Sequence, residues 1–234
     1  MRTAKRTRVK IAYRIDEHRM KRIEKILLEA NPELEYSIQC VDDSLIRFSS
    51  LSELFEYSNP KSREIKRISI ETSWDSQNVR IEVNFSSNSY SPIDFTVRGE
   101  DRDVIYYSHK IEEEVRSFQM WYSKIRFIDM SLMYIVSMVL SFFGMLAYSA
   151  IFGFQKNTSS TSSDWSSILT YLIMLGLFLF SMLIEWIKNR SFQVAIFEVG
   201  EGIARNKFKE KVRNFVVVTI AIPIVLGVIV NYIS

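Results

Sequence analysis

Hydrophobic and polar positions change rhythm twice along this chain. From Arg8 to Ile15 they alternate, with Val9, Ile11, Tyr13 and Ile15 on one face and Arg8, Lys10, Ala12 and Arg14 on the other. That period of two predicts a half-buried strand whose exposed face is basic. A helical stripe of Met20, Ile23, Leu27 and Ala30 follows, with Asp16 placed to cap it and Asn31-Pro32 to stop it. Leu34–Val41 and Leu45–Phe48 predict two strands around an Asp42-Asp43-Ser44 turn. Ser50 and Glu53 have capping-box spacing ahead of a helical turn over Leu51–Tyr57. Three further strands are predicted over Glu64–Trp74, Val79–Phe85 and Pro92–Arg98, and then a helix capped by Asp103. The order of elements predicts that residues 1–126 form an α+β sensor or binding domain, with a mainly antiparallel sheet and two longer helices.

Beyond residue 126 the pattern gives way to long apolar runs. Phe127–Phe154, Trp165–Ile187 and Phe215–Ile233 are each about as long as the ~20 residues a helix needs to cross a bilayer. A backbone in lipid must satisfy its own hydrogen bonds, so the expected fold is the α+β domain followed by an α-helical membrane bundle. This membrane domain, 127–234, has spans at 127–154, 165–187 and 215–233. The helix starting at Asp103 contains no Gly or Pro before the first span, which predicts a nearly continuous helix into the membrane. Between the last two spans, 188–214 reads as two short amphipathic helices interrupted by Gly200 and Gly202.

Charge fixes the expected orientation. Lys124 and Arg126 flank the first span, and the 188–214 loop carries Lys188, Arg190, Arg205, Lys207, Lys209, Lys211 and Arg213. The bias predicts a multi-pass protein of the inner (plasma) membrane, with the N-terminal domain and the 188–214 loop cytoplasmic and the C-terminus external. The basic cluster 205–213 suits anionic lipid headgroups.

The whole chain, with 30 Lys+Arg against 27 Asp+Glu, is nearly balanced at +3. Its first 25 residues, however, carry ten basic and three acidic residues. Arg8, Lys10, Arg14, Arg19, Lys21 and Arg22 are therefore candidate ligand-binding residues for a nucleotide or oligonucleotide, the alternative being a solvated basic leader. In the apolar half, Asp129 and Glu185 fall at the expected cytoplasmic boundary, either reaching water there or ringing the mouth of an oligomeric cation pore. Thr219, Pro223 and Gly227 share one face of the last span, as helix packing or as a pore hinge.

Catalytic chemistry has little to work with. Cys40 is the one cysteine, and there are two histidines, His18 and His109, outside any ligand spacing. The reading is therefore not an enzyme, with no metal and no cofactor. Gly200-Glu201-Gly202 opens like a dinucleotide-binding loop, but Arg205 takes the third glycine position and no strand is predicted before it.

In domain order and size the chain resembles the small membrane effectors of bacterial antiphage defence, the Hailong-type gated channel among them. That resemblance implies a homo-oligomeric channel or pore-forming effector gated by a cytosolic ligand, such as a nucleotide signal, in contact with membrane lipid. The alternative is a membrane-anchored adaptor whose soluble domain docks a protein partner, for instance one encoded in the same operon.

Overall fold

A computed structural model describes residues 2–73, 79–127 and 188–216, together with scattered positions in the apolar segments. Within it the chain forms strands β1 (Arg2–Val9) and β2 (Tyr13–Ile15), helix α1 (Glu17–Ala30), strands β3 (Leu34–Cys40) and β4 (Leu45–Phe48), and helix α2 (Leu51–Glu56). Strands β5 (Ile65–Thr72), β6 (Arg80–Ser86) and β7 (Ile93–Glu100) lead into helices α3 (Asp101–Arg116) and α4 (Ser123–Arg126). A 3-10 turn over Lys61–Arg63 precedes β5, and strand β8 (Ala195–Phe197) and helix α5 (Gly202–Val216) lie towards the C-terminus.

Six strands form one sheet in the order β1-β7-β6-β5-β3-β4. Every neighbouring pair in it is antiparallel. Alternation sets its two faces: Ile38, Ile68, Ile70, Ile81, Val83, Phe85, Phe95 and Val97 are fully buried and point one way. Onto them pack Met20, Ile23 and Leu27 of α1 and Val104, Ile111 and Val115 of α3. The other face is polar. Across it run Arg6, Thr96, Glu82, Glu71 and Glu35 in one cross-strand row, and Arg8, Asp94, Asn84, Ser69, Ser37 and Arg47 in the next.

Local signals set the helix ends. The Asp16 carboxylate accepts the Arg19 amide at 2.8 Å, and the buried Asn31 closes α1 through its amide to the Leu27 carbonyl. Ser50 caps α2 through the Glu53 amide, while the Glu53 carboxylate reaches back to the amide of Ser49 rather than of the cap itself.

The basic strand expected over Arg8–Ile15 is in fact two. Strand β1 begins at Arg2 and pairs along the whole of β7 as a sheet edge, where a run of Lys and Arg is favourable because it blocks further pairing. The chain then turns through Lys10–Ala12. There the Ala12 amide donates to Ser123 Oγ at 2.9 Å and its carbonyl accepts the Met120 amide at 2.8 Å. Strand β2 pairs in parallel with β8, from Tyr13↔Ala195 to Ile15↔Phe197.

Two expectations for the second half are corrected. The 188–214 loop does not hold two amphipathic helices: residues 188–191 are helical, the buried three-residue strand β8 takes the place of the first expected apolar stripe, and the amphipathic helix α5 follows. Nor does α3 run on from Asp103 into an apolar span. It stops at Arg116, Gln119 bridges to Tyr13, and a separate short helix α4 follows.

The membrane bundle itself is also corrected. Among the described residues no helix is long and apolar enough to cross a membrane. The helix that reaches the start of the third expected span, α5, is a charged amphipathic one, with Arg213 two residues before Phe215. This overturns the three-span fold class, the transmembrane-channel description and the multi-pass inner-membrane placement. Most of 128–187 and of 217–234 lies outside the described residues. By contact density the chain divides into Met1–Phe127 with Ser191–Ser234, and Ile128–Arg190.

Tyr13 ties several of these parts together. It is fully buried, and its hydroxyl donates towards the carbonyls of Ser86 and Pro92 at 2.9 and 3.1 Å. Its ring lies 5.9 Å from Phe85 and 6.3 Å from Phe197. Burial holds its phenol well above the ordinary value of 10.0. An unfolded chain ionises this group first, so the stabilisation is complete below about pH 10 and is lost as pH climbs towards the raised value. Urea midpoints measured from neutral to strongly alkaline pH should therefore fall for the native chain and fall less steeply for Tyr13→Phe. At neutral pH that variant should lose about 1–2 kcal/mol, chiefly at the Ser86 carbonyl, since the Pro92 carbonyl still accepts the Ser86 amide.

Candidate ligand pocket

The pocket lies at one end of the sheet, where the segment after residue 190 packs on the loop between α2 and β5. Two residues with positive φ make the approach possible. Asn59 has φ 51° and Gly200 φ 50°. At Gly200 a Cβ would stand 2.3 Å from the Ser58 carbonyl oxygen, so no other residue fits without displacing backbone. A Cβ at Gly202 would meet the Asn59 side chain at 2.6 Å and the Phe197 carbonyl at 2.9 Å. The Glu201 amide then donates to the Ser58 carbonyl at 2.8 Å.

Asn59 is the staple of this seam. It is 2% exposed; its Nδ2 donates to the Val199 carbonyl and its Oδ1 accepts the Ile65 amide, each at 3.1 Å. Its own carbonyl accepts from Arg205 Nη1 at 2.8 Å. Asn206 Nδ2 donates to the Phe197 carbonyl at 3.0 Å, fastening the first turn of α5 to β8.

Between these pieces is a cavity of about 230 Å³. Val41, Ile65, Ala195 and Phe197 supply its apolar lining; Asn59, Glu64, Gln193, Asn206 and Lys209 supply polar groups. Glu64 and Lys209 are both half-buried. Among the described residues neither has a salt-bridge partner, and they do not pair with each other.

Beside the pocket, an ionic cluster holds α5 to β2. Arg14 Nη2 reaches both oxygens of Glu210, at 3.1 and 3.2 Å, and its Nε lies 3.6 Å from Glu198. Arg213 shares Glu210 at 3.1 Å and sets its guanidinium 4.7 Å from the centre of the Tyr122 ring. Burial raises the Tyr122 pKa, an effect that Arg213 partly offsets. The Tyr122 hydroxyl donates to the carbonyl of Gln193 at 3.1 Å, and its ring lies 5.3 Å from Phe192. One pocket-lining residue, Gln193, is thereby bonded to the stretch just before residue 128.

The candidate residues from the sequence are dispersed. Arg8 is exposed on the edge strand, and Lys10 Nζ lies 5.4 Å from the Phe127 ring. Arg14 is in the ionic cluster. Arg19 pairs with Asp16 and donates to the Arg14 carbonyl, Lys21 pairs with Glu17, and Arg22 pairs with Glu114. Four of these six candidates thus pair with carboxylates of the chain, while Arg8 and Lys10 do not pair with one among the described residues. Asp129 and Gly227 lie outside the described residues. Glu185 is half-buried, and Thr219 and Pro223 are exposed.

The pocket residues Asn59, Glu64, Gln193 and Asn206 were not singled out from the sequence, and Lys209 was read only as part of the basic 205–213 cluster. One signal was available: Gly200-Glu201-Gly202 does follow a strand, β8, and does open a helix, α5. The close approach that its glycines allow is occupied by the chain's own Tyr57 and Ser58 carbonyls rather than open to a pyrophosphate. Among the described residues no group of three His, Cys, Asp or Glu is placed to hold a metal ion. No protein-family model, curated protein or solved structure matches the chain.

Gly200→Ala tests the seam. The added methyl must push the Ser58 carbonyl aside and adopt a positive φ, at a cost of about 1–3 kcal/mol. Amide hydrogen exchange should speed up over 191–206 while the β5–β6–β7 amides stay protected. Unchanged exchange over 191–206 would mean that this contact does not hold the seam.

Proposed function

We propose that this chain is a non-catalytic, ligand-responsive coupling module. A small polar molecule enters the pocket at Asn59, tightens the seam between the α2–β5 loop and the β8–α5 segment, and alters the stretches of chain that flank residues 128–190. The observation that carries this reading is the double role of Gln193. It lines the cavity, and its carbonyl holds Tyr122, five residues before Phe127. A ligand that orders Gln193 therefore acts on both ends of the intervening segment through one hydrogen bond.

Charge distribution supports a pocket ligand over a polyanion spread on the N-terminal face. Arg14, Arg19, Lys21 and Arg22 already have carboxylate partners, whereas Glu64 and Lys209 have none among the described residues. Half-buried charges without partners are costly, and a ligand of matching charge recovers that cost.

The test is hydrogen exchange on the full chain, with amino acids, dicarboxylates, inorganic phosphate and mononucleotides added one at a time. A probe present at about 100 times its Kd should stabilise the bound state by ~2.7 kcal/mol. Exchange should slow over both 191–206 and 120–127. Protection at 191–206 without any change at 120–127 would leave a binding site with no coupling. A response confined to the polar face of the sheet would favour docking of a protein partner instead.

A further inference from the structure

We infer that the pocket is built for a small zwitterion of the α-amino acid class, its carboxylate held by Lys209 and its ammonium by Glu64. This rests on the pocket being the ligand site, and it names the ligand's chemistry.

The charges around the pocket differ in how they are used. Next to Glu64, Arg63 pairs with Asp42 at 3.2 Å and Lys66 lies 3.5 Å from Asp43. Next to Lys209, Glu210 is taken by Arg14 and Arg213. Glu64 and Lys209 line the same cavity, carry opposite charge, are half-buried, and lack ion-pair partners among the described residues. An anionic ligand would satisfy Lys209 and be repelled by Glu64; a cationic one would do the reverse. A molecule carrying one charge of each sign satisfies both at once and brings no net charge into a partly dry site.

Size and lining agree. A cavity of about 230 Å³ falls below the roughly 300–1,000 Å³ that drug-sized ligands occupy, which excludes a dinucleotide and suits an amino acid. Asn206, whose Nδ2 is committed to the Phe197 carbonyl, retains an amide oxygen as an acceptor for an ammonium. Val41, Ile65 and Phe197 offer an apolar surface for an aliphatic side chain.

The experiment is isothermal titration of the full chain with the proteinogenic amino acids singly, then with the N-acetyl and methyl-ester derivatives of the tightest. Each derivative removes one charge. Each should bind about tenfold or more weakly, the worth of one charge-assisted hydrogen bond. Lys209→Met should weaken the free amino acid and bind the ester no worse than it binds the free form; Glu64→Gln should do the same with the N-acetyl derivative. Lys209→Arg, which keeps the charge, should retain binding and so separates loss of contact from loss of fold. If no free amino acid binds but succinate, phosphate or a nucleotide protects 191–206, the ligand class is wrong and the pocket stands. If an amino acid binds equally well to wild type, Lys209→Met and Glu64→Gln, the charge assignment is overturned. If no probe binds or protects, the pocket reading falls with it.

Discussion

The parallel pairing of β2 with β8 is the constraint from which the rest of the functional architecture follows. Three residues on each strand are involved, yet the ladder fixes what flanks them. The Tyr13 amide donates to the Val194 carbonyl at 2.9 Å, and the Glu198 amide to the Ile15 carbonyl at 2.8 Å. With those bonds in place Arg14 reaches the carboxylates of Glu198 and Glu210, Phe197 packs on the Tyr13 ring, and Gly200 comes down on Ser58. A two-stranded ladder of this length would not persist alone in water. It persists here because Tyr13, Ile15, Ala195 and Phe197 are buried in the same core as the large sheet.

Much of the N-terminal domain was legible in the sequence, because its elements obey local rules. Alternation marked β3, β5, β6 and β7, and a period of 3.6 marked α1 and α3. Asp16 and Ser50 cap where their spacing put them. Two local features misled. Strand β1 lies in a run so rich in Lys and Arg that its pairing is visible only from β7. The break at Ser117 has no Gly or Pro to announce it; it comes from Phe118, which turns inward to bury its ring against Phe85.

The pocket was illegible for a different reason. Its residues come from four stretches, at 41, 59–65, 87 and 193–209, and no single window contains a pattern. The N-terminal basic cluster shows a different limit of local reading. Counting charge along a chain cannot show that the carboxylate partners of Arg14 and Arg22 sit at 198, 210 and 114. Net charge over a segment predicts a surface potential only where the charges stay unpaired. The apolar runs raise the same point about length. A run of about 20 apolar residues is a necessary condition for a membrane helix, and the described helix that enters the last of them, α5, keeps a charged face.

The β2–β8 ladder also dictates an order of events during synthesis. Tyr13 leaves the ribosome early, and its partner Ala195 follows only after roughly 180 further residues. Until then the main sheet can assemble, since all six of its strands lie before residue 101. It does so with one end uncovered, exposing Tyr13, Ile15 and Phe85 to whatever else is nearby. A chain released or cleaved before residue 195 would keep its sheet and lose its lid, leaving a folded but adhesive fragment.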